Sequence, residues 1–136
     1  MKIQIKRIYE PHEKTDGYRV LIDRLWPRGI SKERAQIDEW KKGIAPSTEL
    51  RKAYHEKQIN YGEFENLYIS ELQNNREIFD FYKRLENKKI VTLLYASKDE
   101  EKNHAVILKK YLENLREYKT RSVFISRPCF VIRLFY

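Results

Sequence analysis

A cluster of charged and aromatic side chains follows the apolar run Val20-Leu21-Ile22. Arginine binds phosphate or carboxylate through two parallel hydrogen bonds, and an aspartate can exchange a proton with a bound ligand. These residue types predict a site for an anionic group, with Asp23 as a candidate catalytic acid or base. The candidate ligand-binding side chains of this cluster are Arg24, Trp26 and Arg28.

A second polar cluster follows the apolar run IVTLLYA over residues 90–96. His104 is the other catalytic candidate, because an imidazole titrates near neutral pH. Asp99 is a suitable N-cap for a long helix, whose first backbone N–H groups would also face an anion. The candidate ligand-binding residues of this cluster are Tyr95, Lys98, Asp99 and Asn103.

Both apolar runs have the length and composition of strands that are buried on both faces, over residues 18–23 and 90–96. Strands separated by helical stretches predict βαβ units and a parallel sheet. If the two strands are parallel neighbours, their carboxyl ends meet at one sheet edge, where ligands of open α/β sheets bind. Arg51, near Pro46, would reach the same rim.

Each candidate also has a structural interpretation. Asp23 and Arg24 would form an ion pair at a strand end, and Trp26 would pack in a turn beside Pro27. His104 shares a helix face with Leu108, Tyr111 and Leu115, so a hydrogen-bonded core histidine is the alternative to a functional one. Asp99 could serve only as a helix cap, and Lys98 could be solvated.

The remaining elements complete an α/β pattern. Alternation around Ile3 and Ile5 predicts a first strand over residues 2–8, and residues 11–17 form a loop. A short helix over 32–37 follows Ser31, and residues 38–44 are predicted as extended. Three amphipathic runs then carry Leu50, Ala53 and Tyr54; Phe64, Leu67, Tyr68 and Leu72; and Ile78, Phe79, Tyr82 and Leu85.

Composition limits the functional classes. The 136 residues suit one domain, and the formal net charge of +8 suggests anionic partners. Residues 118–136 hold four basic residues and no acid, so the net charge of residues 1–117 is 8 − 4 = +4. A basic tail on a mildly basic domain is a poor signature of nucleic-acid binding. No apolar stretch is long enough for a membrane span, so we expect a cytoplasmic protein without membrane partners.

Several cofactor and catalytic signatures are missing from the sequence. The four glycines show no phosphate-loop spacing, and His12, His55 and His104 lack the spacing of metal ligands, so we expect neither cofactor nor metal. Cys129 is the single cysteine, which argues against a disulfide and thiol catalysis and fits a reducing compartment. The ten tyrosines fall mostly on apolar helix faces, which favours a core role over base stacking.

Residues 118–136 differ from the domain over residues 1–117, since two apolar runs flank Ser126-Arg127-Pro128. They predict an edge strand or a hairpin. The alternative is an extension that pairs with a neighbouring chain and so drives self-association.

The segments RVLIDRLWPRGISKERAQIDEW, APSTELRK and VTLLYASKDEEKNHAVILKKYLE resemble the YeaO-like branch of the domain-of-unknown-function 488 family over roughly residues 2–115. The resemblance implies a single small Rossmann-like domain with a mainly parallel sheet flanked by helices, a bacterial cytoplasmic protein, and no established activity. It also implies that the two polar clusters form one site. Ser97 departs from the alanine usual there, and residues 118–136 fall outside the resemblance.

The sequence leads to one main hypothesis with alternatives. The main hypothesis is a small α/β protein, with enzymatic activity left open, that binds a nucleotide or phosphorylated metabolite at the carboxyl edge of its strands. The alternatives are a nucleic-acid-associated protein, which the net charge favours, and a protein–protein adaptor that assembles through residues 118–136.

Overall fold

The structure is a computed structural model that describes residues 1–121, with side chains as far as residue 115. The described strands are β1 (Lys2–Arg7), β2 (Tyr18–Leu21), β3 (Glu39–Trp40) and β4 (Ile90–Tyr95). The described helices are α1 (Lys32–Ala35), α2 (Thr48–His55), α3 (Tyr61–Gln73), α4 (Arg76–Leu85) and α5 (His104–Arg121). Short 3-10 turns occupy Lys14–Asp16 and Lys42–Ile44.

The described strands form one sheet in the order β1-β4-β2-β3, and every pairing is parallel. The pairing of β2 with β4 runs from Tyr18↔Val91 to Leu21↔Leu94. A further hydrogen bond from Ile22 N–H to the Leu94 carbonyl, 3.0 Å long, extends it by one residue. The α/β class, the parallel sheet and the adjacency of the two central strands are therefore confirmed.

Period-two alternation distributes the sheet residues between two apolar cores, because successive strand side chains point to opposite faces. Val91, Leu93 and Tyr95 belong to the larger core, which includes residues of α2, α3, α4 and α5. Leu94 belongs to the smaller core with Leu21, and Trp26 and Trp40 pack against its edge. The sheet is thus covered on both faces, as the continuous apolar runs predict.

Most predicted elements are found with shifted ends. The segment over 38–44 is a two-residue strand and a 3-10 turn rather than one extended run. Leu67 was predicted on an inner helix face but is 49% exposed, because Phe64, Tyr68 and Leu72 form the row that faces the core. Helix α5 continues to Arg121, so it takes in the first residues of the predicted extension. The prediction for 122–136 lies outside the described residues.

Gly17 marks the close approach at the start of β2. Its φ is +64°, a region that favours glycine, and a Cβ there would lie 2.5 Å from the Ile90 carbonyl oxygen. Any side chain at this position would push β2 away from β4. Gly17 therefore contributes to the pairing that aligns the two polar clusters.

Arg19 is a buried cation that the sequence pattern did not single out. Its side chain is 1% exposed within β2 and forms an ion pair of 2.5 Å with Asp16, which is itself buried. Its guanidinium also donates to the carbonyls of Ala35 and Gln36, at 2.7 and 3.0 Å. Arg19 therefore fixes the chain after α1 against the sheet.

The pKa of Asp16 is lowered. Burial by itself would raise this pKa, but hydrogen bonds from the Glu13 backbone and from Lys6 and Arg19 outweigh it. A carboxyl whose pKa is lower in the folded than in the unfolded chain stabilises the fold at higher pH. That stabilisation is complete above the ordinary pKa and is lost as the pH falls through the lowered value.

We predict that Arg19→Met lowers the free energy of unfolding by about 3 kcal/mol, because the Ala35 and Gln36 carbonyls lose their donor and Asp16 keeps only Lys6 as a cationic partner. Arg84→Met is the matched control. Its ion pair with Glu39 is half exposed on the arginine side, so its loss should cost about 1 kcal/mol or less. Urea unfolding at neutral pH measures both, and equal losses would contradict the structural role of Arg19.

The stability contributed by the Arg19–Asp16 ion pair should depend on pH. As the pH falls from neutrality through the lowered Asp16 pKa, the stability gap between wild type and Arg19→Met should narrow, because Asp16 takes up a proton in both proteins. Urea unfolding across this range measures the gap. A gap that stays constant would show that the Asp16 charge is not what Arg19 compensates.

Candidate functional site

The carboxyl ends of β2 and β4 open into a cavity of about 640 Å³. Its walls come from the chain after β2, the Ala45-Pro46 segment, α2, α3 and the segment from Ala96 to the start of α5. Six of the sequence-predicted site residues line it: Asp23, Arg24, Lys98, Asp99, Asn103 and His104.

Asp23 and His104 form the centre of this cavity wall. His104 Nε2 lies 3.0 Å from Asp23 Oδ1 and 3.0 Å from the Ile22 carbonyl oxygen. Both neighbours can only accept hydrogen bonds, so Nε2 carries the proton, and Nδ1 is the acceptor of the neutral ring. The Nε2 proton is directed at Ile22, and Asp23 Oδ1 is buried without a hydrogen-bond partner among the described residues.

The other oxygen of Asp23 joins the two central strands. Asp23 Oδ2 accepts a hydrogen bond of 3.0 Å from the Ala96 N–H, directly after β4. The Asp23–Arg24 ion pair offered as a structural alternative is not found among the described ion pairs. His104 also packs edge-on against Tyr68, with ring centroids 6.3 Å apart. It is thus both hydrogen-bonded and part of the cavity wall.

Arg24 holds the Ala45-Pro46 segment in place. Its Nε and Nη2 atoms each donate a hydrogen bond of 3.1 Å, to the Pro46 and Ala45 carbonyls. The buried Tyr68 hydroxyl donates to the neighbouring Ile44 carbonyl at 2.7 Å. Two of the guanidinium nitrogens therefore hold the cavity wall in place. The third, Nη1, has no partner among the described residues.

Three predicted site residues lie outside the cavity lining. Trp26 donates to the Ile30 carbonyl at 2.7 Å and packs edge-on against Trp40. The Arg28 side chain is exposed and forms no hydrogen bond or ion pair with a described residue. Tyr95 is 3% exposed in the larger core. The chain turns away from the sheet edge between Asp23 and Gly29, which separates Arg28 from the cavity.

The start of α5 corrects one local prediction. Asp99 does not cap this helix; its carboxylate accepts from the N–H groups of Glu101 and Lys102, which lowers the pKa of Asp99. The helix begins at His104, and Asn103 Oδ1 accepts from the Val106 N–H at 3.1 Å. One of the backbone donors expected to face an anion is therefore already used.

An aromatic row on α2 and α3 packs in the larger core, as the sequence predicted, and also forms the floor of the cavity. Tyr54 and Phe64 line the cavity and stack with centroids 4.7 Å apart. Tyr61 extends the row, and its hydroxyl donates to the Asn103 carbonyl at 2.9 Å. Burial raises the pKa of Tyr61 to about 12, so this hydroxyl keeps its proton at neutral pH. The spacing of aromatic residues across two helices was the available signal.

The cavity carries more positive than negative side chains. Arg24, Arg51, Lys98 and Lys102 line it, against the carboxylates of Asp23 and Asp99. The side chains of Arg51 and Lys98 have no hydrogen bond or ion pair with any residue in the described part of the chain. An anionic group could engage both without breaking an existing contact.

Among the described residues, no group of three histidine, cysteine, aspartate or glutamate side chains is arranged to hold a metal ion. No described helix is both long and apolar enough to cross a membrane.

We predict that Arg24→Met lowers the free energy of unfolding by about 1–3 kcal/mol, because the Ala45 and Pro46 carbonyls lose a charged donor. Arg28→Met changes the same residue type in the same motif, and we expect a change within about 0.5 kcal/mol. Chemical denaturation of both variants checks this. A larger loss of unfolding free energy for Arg28→Met than for Arg24→Met would contradict the structural role given to Arg24.

Comparison with known proteins places the chain in a family. The model of the inactive DUF488-N3 subclade matches residues 2–131, so the match includes much of the extension that the resemblance had left out. The uncharacterized protein YeaO of Escherichia coli (strain K12) is 46% identical over 85% of this chain and 100% of its own length. The uncharacterized protein Rv3073c of Mycobacterium tuberculosis (strain ATCC 25618 / H37Rv) is 34% identical over 82% of this chain and 93% of its own.

No solved structure matches the chain. The family match and the similarity to YeaO agree with the motifs around Asp23 and His104. The chain belongs to the domain-of-unknown-function 488 family, in its YeaO-like branch.

Proposed function

We propose that this protein binds a phosphorylated small molecule in the cavity at the carboxyl edge of β2 and β4. The observation that carries the proposal is the pair of cations, Arg51 and Lys98, that line the cavity without a partner among the described residues. Arg19 and Arg84, by contrast, are paired with Asp16 and Glu39. Phosphate oxygens would supply the missing acceptors.

His104 would contribute to the same anion site. Because Nε2 is engaged by Ile22, a ligand would meet Nδ1, which accepts from a phosphate or hydroxyl proton in the neutral ring. When Nδ1 is protonated, the ring is a cation next to Asp23, and Nδ1 donates to the phosphate instead. His104 can therefore serve the ligand in either protonation state.

The subclade description favours binding without turnover, since the matching family model is described as inactive. Asp23 fits that role, because its carboxylate bonds the Ala96 N–H and lies beside His104 rather than in open solvent. The half-buried Asp23–His104 pair is also the arrangement that a general acid or base would need. Hydrolysis of a bound phosphate that is lost in His104→Asn would make the protein an enzyme.

The shape of the site favours a small ligand over nucleic acid. The unpaired cations line a concave cavity next to two carboxylates, whereas a nucleic acid needs a continuous basic surface along its backbone. The adaptor hypothesis depends on residues 118–136, most of which lie outside the described residues, and it stays a prediction.

We predict that Arg51→Gln weakens binding of ribose 5-phosphate about tenfold, because one charge-assisted hydrogen bond to the phosphate is lost. Arg28→Gln removes the same charge outside the cavity and should change the affinity less than about twofold. Isothermal titration calorimetry at low ionic strength measures both. Equal weakening would mean that only net charge attracts the anion, and no binding to the wild type would refute the proposed function.

A further inference from the structure

We infer that the ligand of this cavity is a nucleoside phosphate, and that its base lies on the ring of Tyr54. This inference rests on the proposed function, which supplies the phosphate end of the ligand. The evidence for a base comes from a different part of the wall, the aromatic floor on α2 and α3.

Tyr54 lies where two cavities meet. It lines the cavity with the unpaired cations, and it also lines a second one of about 570 Å³ beside the turn between α2 and α3. The two cavities share Tyr54 and His55 as lining residues, so both open beside the tyrosine. A ligand with a phosphate at the sheet edge would extend over this ring towards the second cavity.

The ring of Tyr54 packs against aromatic neighbours that position it for stacking. Phe64 stacks against it with an interplanar angle of 25°, and Tyr61 lies 6.0 Å away in a tilted arrangement. Tyr61 is in turn bonded to the Asn103 carbonyl at the start of α5. A ring positioned by two aromatic neighbours loses little freedom when a planar group covers it, and Tyr54 remains half-buried.

The rim of the second cavity is polar. Lys57, Gln58, Asn60 and Glu63 contribute to it, and Ile59 is its aliphatic member. Asn60 and Glu63 form the capping box of α3, and Gln58 donates to Glu56, so these polar groups are held in place at the rim. A nucleobase offers hydrogen-bonding edges to such a rim around a planar π-face, whereas a hydrocarbon ring offers none. The cationic end of the site suits the phosphate, the aromatic floor suits the stacked base, and the polar rim suits the hydrogen-bonding edge of that base.

The test compares ligands that differ only by the base. Inorganic phosphate, ribose 5-phosphate and the four nucleoside 5′-monophosphates are titrated into the full chain by calorimetry. At least one nucleoside monophosphate should bind about fivefold or more tightly than ribose 5-phosphate, from base–aromatic stacking. Tyr54→Leu should remove most of this gain, while Tyr54→Phe should retain it.

The outcomes separate the two claims. If ribose 5-phosphate binds through Arg51 but no base improves the affinity, the inference is overturned and the proposed function stands. If no phosphate binds at all, the proposed function fails, and the inference fails with it. If Tyr54→Leu does not fold, the wild type and Tyr54→Phe still test the inference. Tighter binding of a nucleoside monophosphate than of ribose 5-phosphate in both proteins supports stacking of the base, and equal binding in both refutes it.

Discussion

The parallel pairing of β2 with β4 is the constraint on which the rest of the site depends. The register Leu21↔Leu94 brings Asp23 and Ala96 to the same height, so that the Asp23 carboxylate accepts the Ala96 N–H. The next polar residues along both chains then face one cavity. A slip of one residue would turn the apolar set of β2 to the wrong face, which makes this register costly to change.

A second layer of contacts turns the sheet edge into a shaped cavity. Arg24 and Tyr68 bind the carbonyls from Ile44 to Pro46, and Tyr61 binds the carbonyl of Asn103. These bonds tie the segment before α2 and the start of α5 to the sheet and to α3. Arg24, Tyr61 and Tyr68 thus use hydrogen bonds to hold the wall, whereas the side chains of Arg51 and Lys98 in the same wall have no partner among the described residues. That contrast separates residues that hold the cavity wall in place from residues that would bind the ligand.

The sequence predicted the sheet edge because two buried strands and their polar ends are local patterns. Arg28 could not be separated from Arg24 in the same way, since both lie in one motif. Only the course of the folded chain places Arg24 beside the Ala45-Pro46 segment and Arg28 on an exposed turn. Tyr54 and Phe64 have the spacing of core residues, and their place in a cavity results from packing between helices that are distant from the strands in sequence. The role of Arg19 could not be predicted for a similar reason, because its partner carbonyls belong to the last residue of α1 and to the residue after it, which are distant in sequence.

The most direct test of a cavity centred on Asp23 and His104 is the nitrogen NMR spectrum of the histidine rings during titration with a phosphorylated ligand. The account predicts that neutral His104 is the tautomer with the proton on Nε2, and that its Nδ1 signal shifts and saturates with the ligand. The exposed His12, outside the cavity lining, should not respond. A proton on Nδ1 of His104, or equal responses of His12 and His104, would contradict the account.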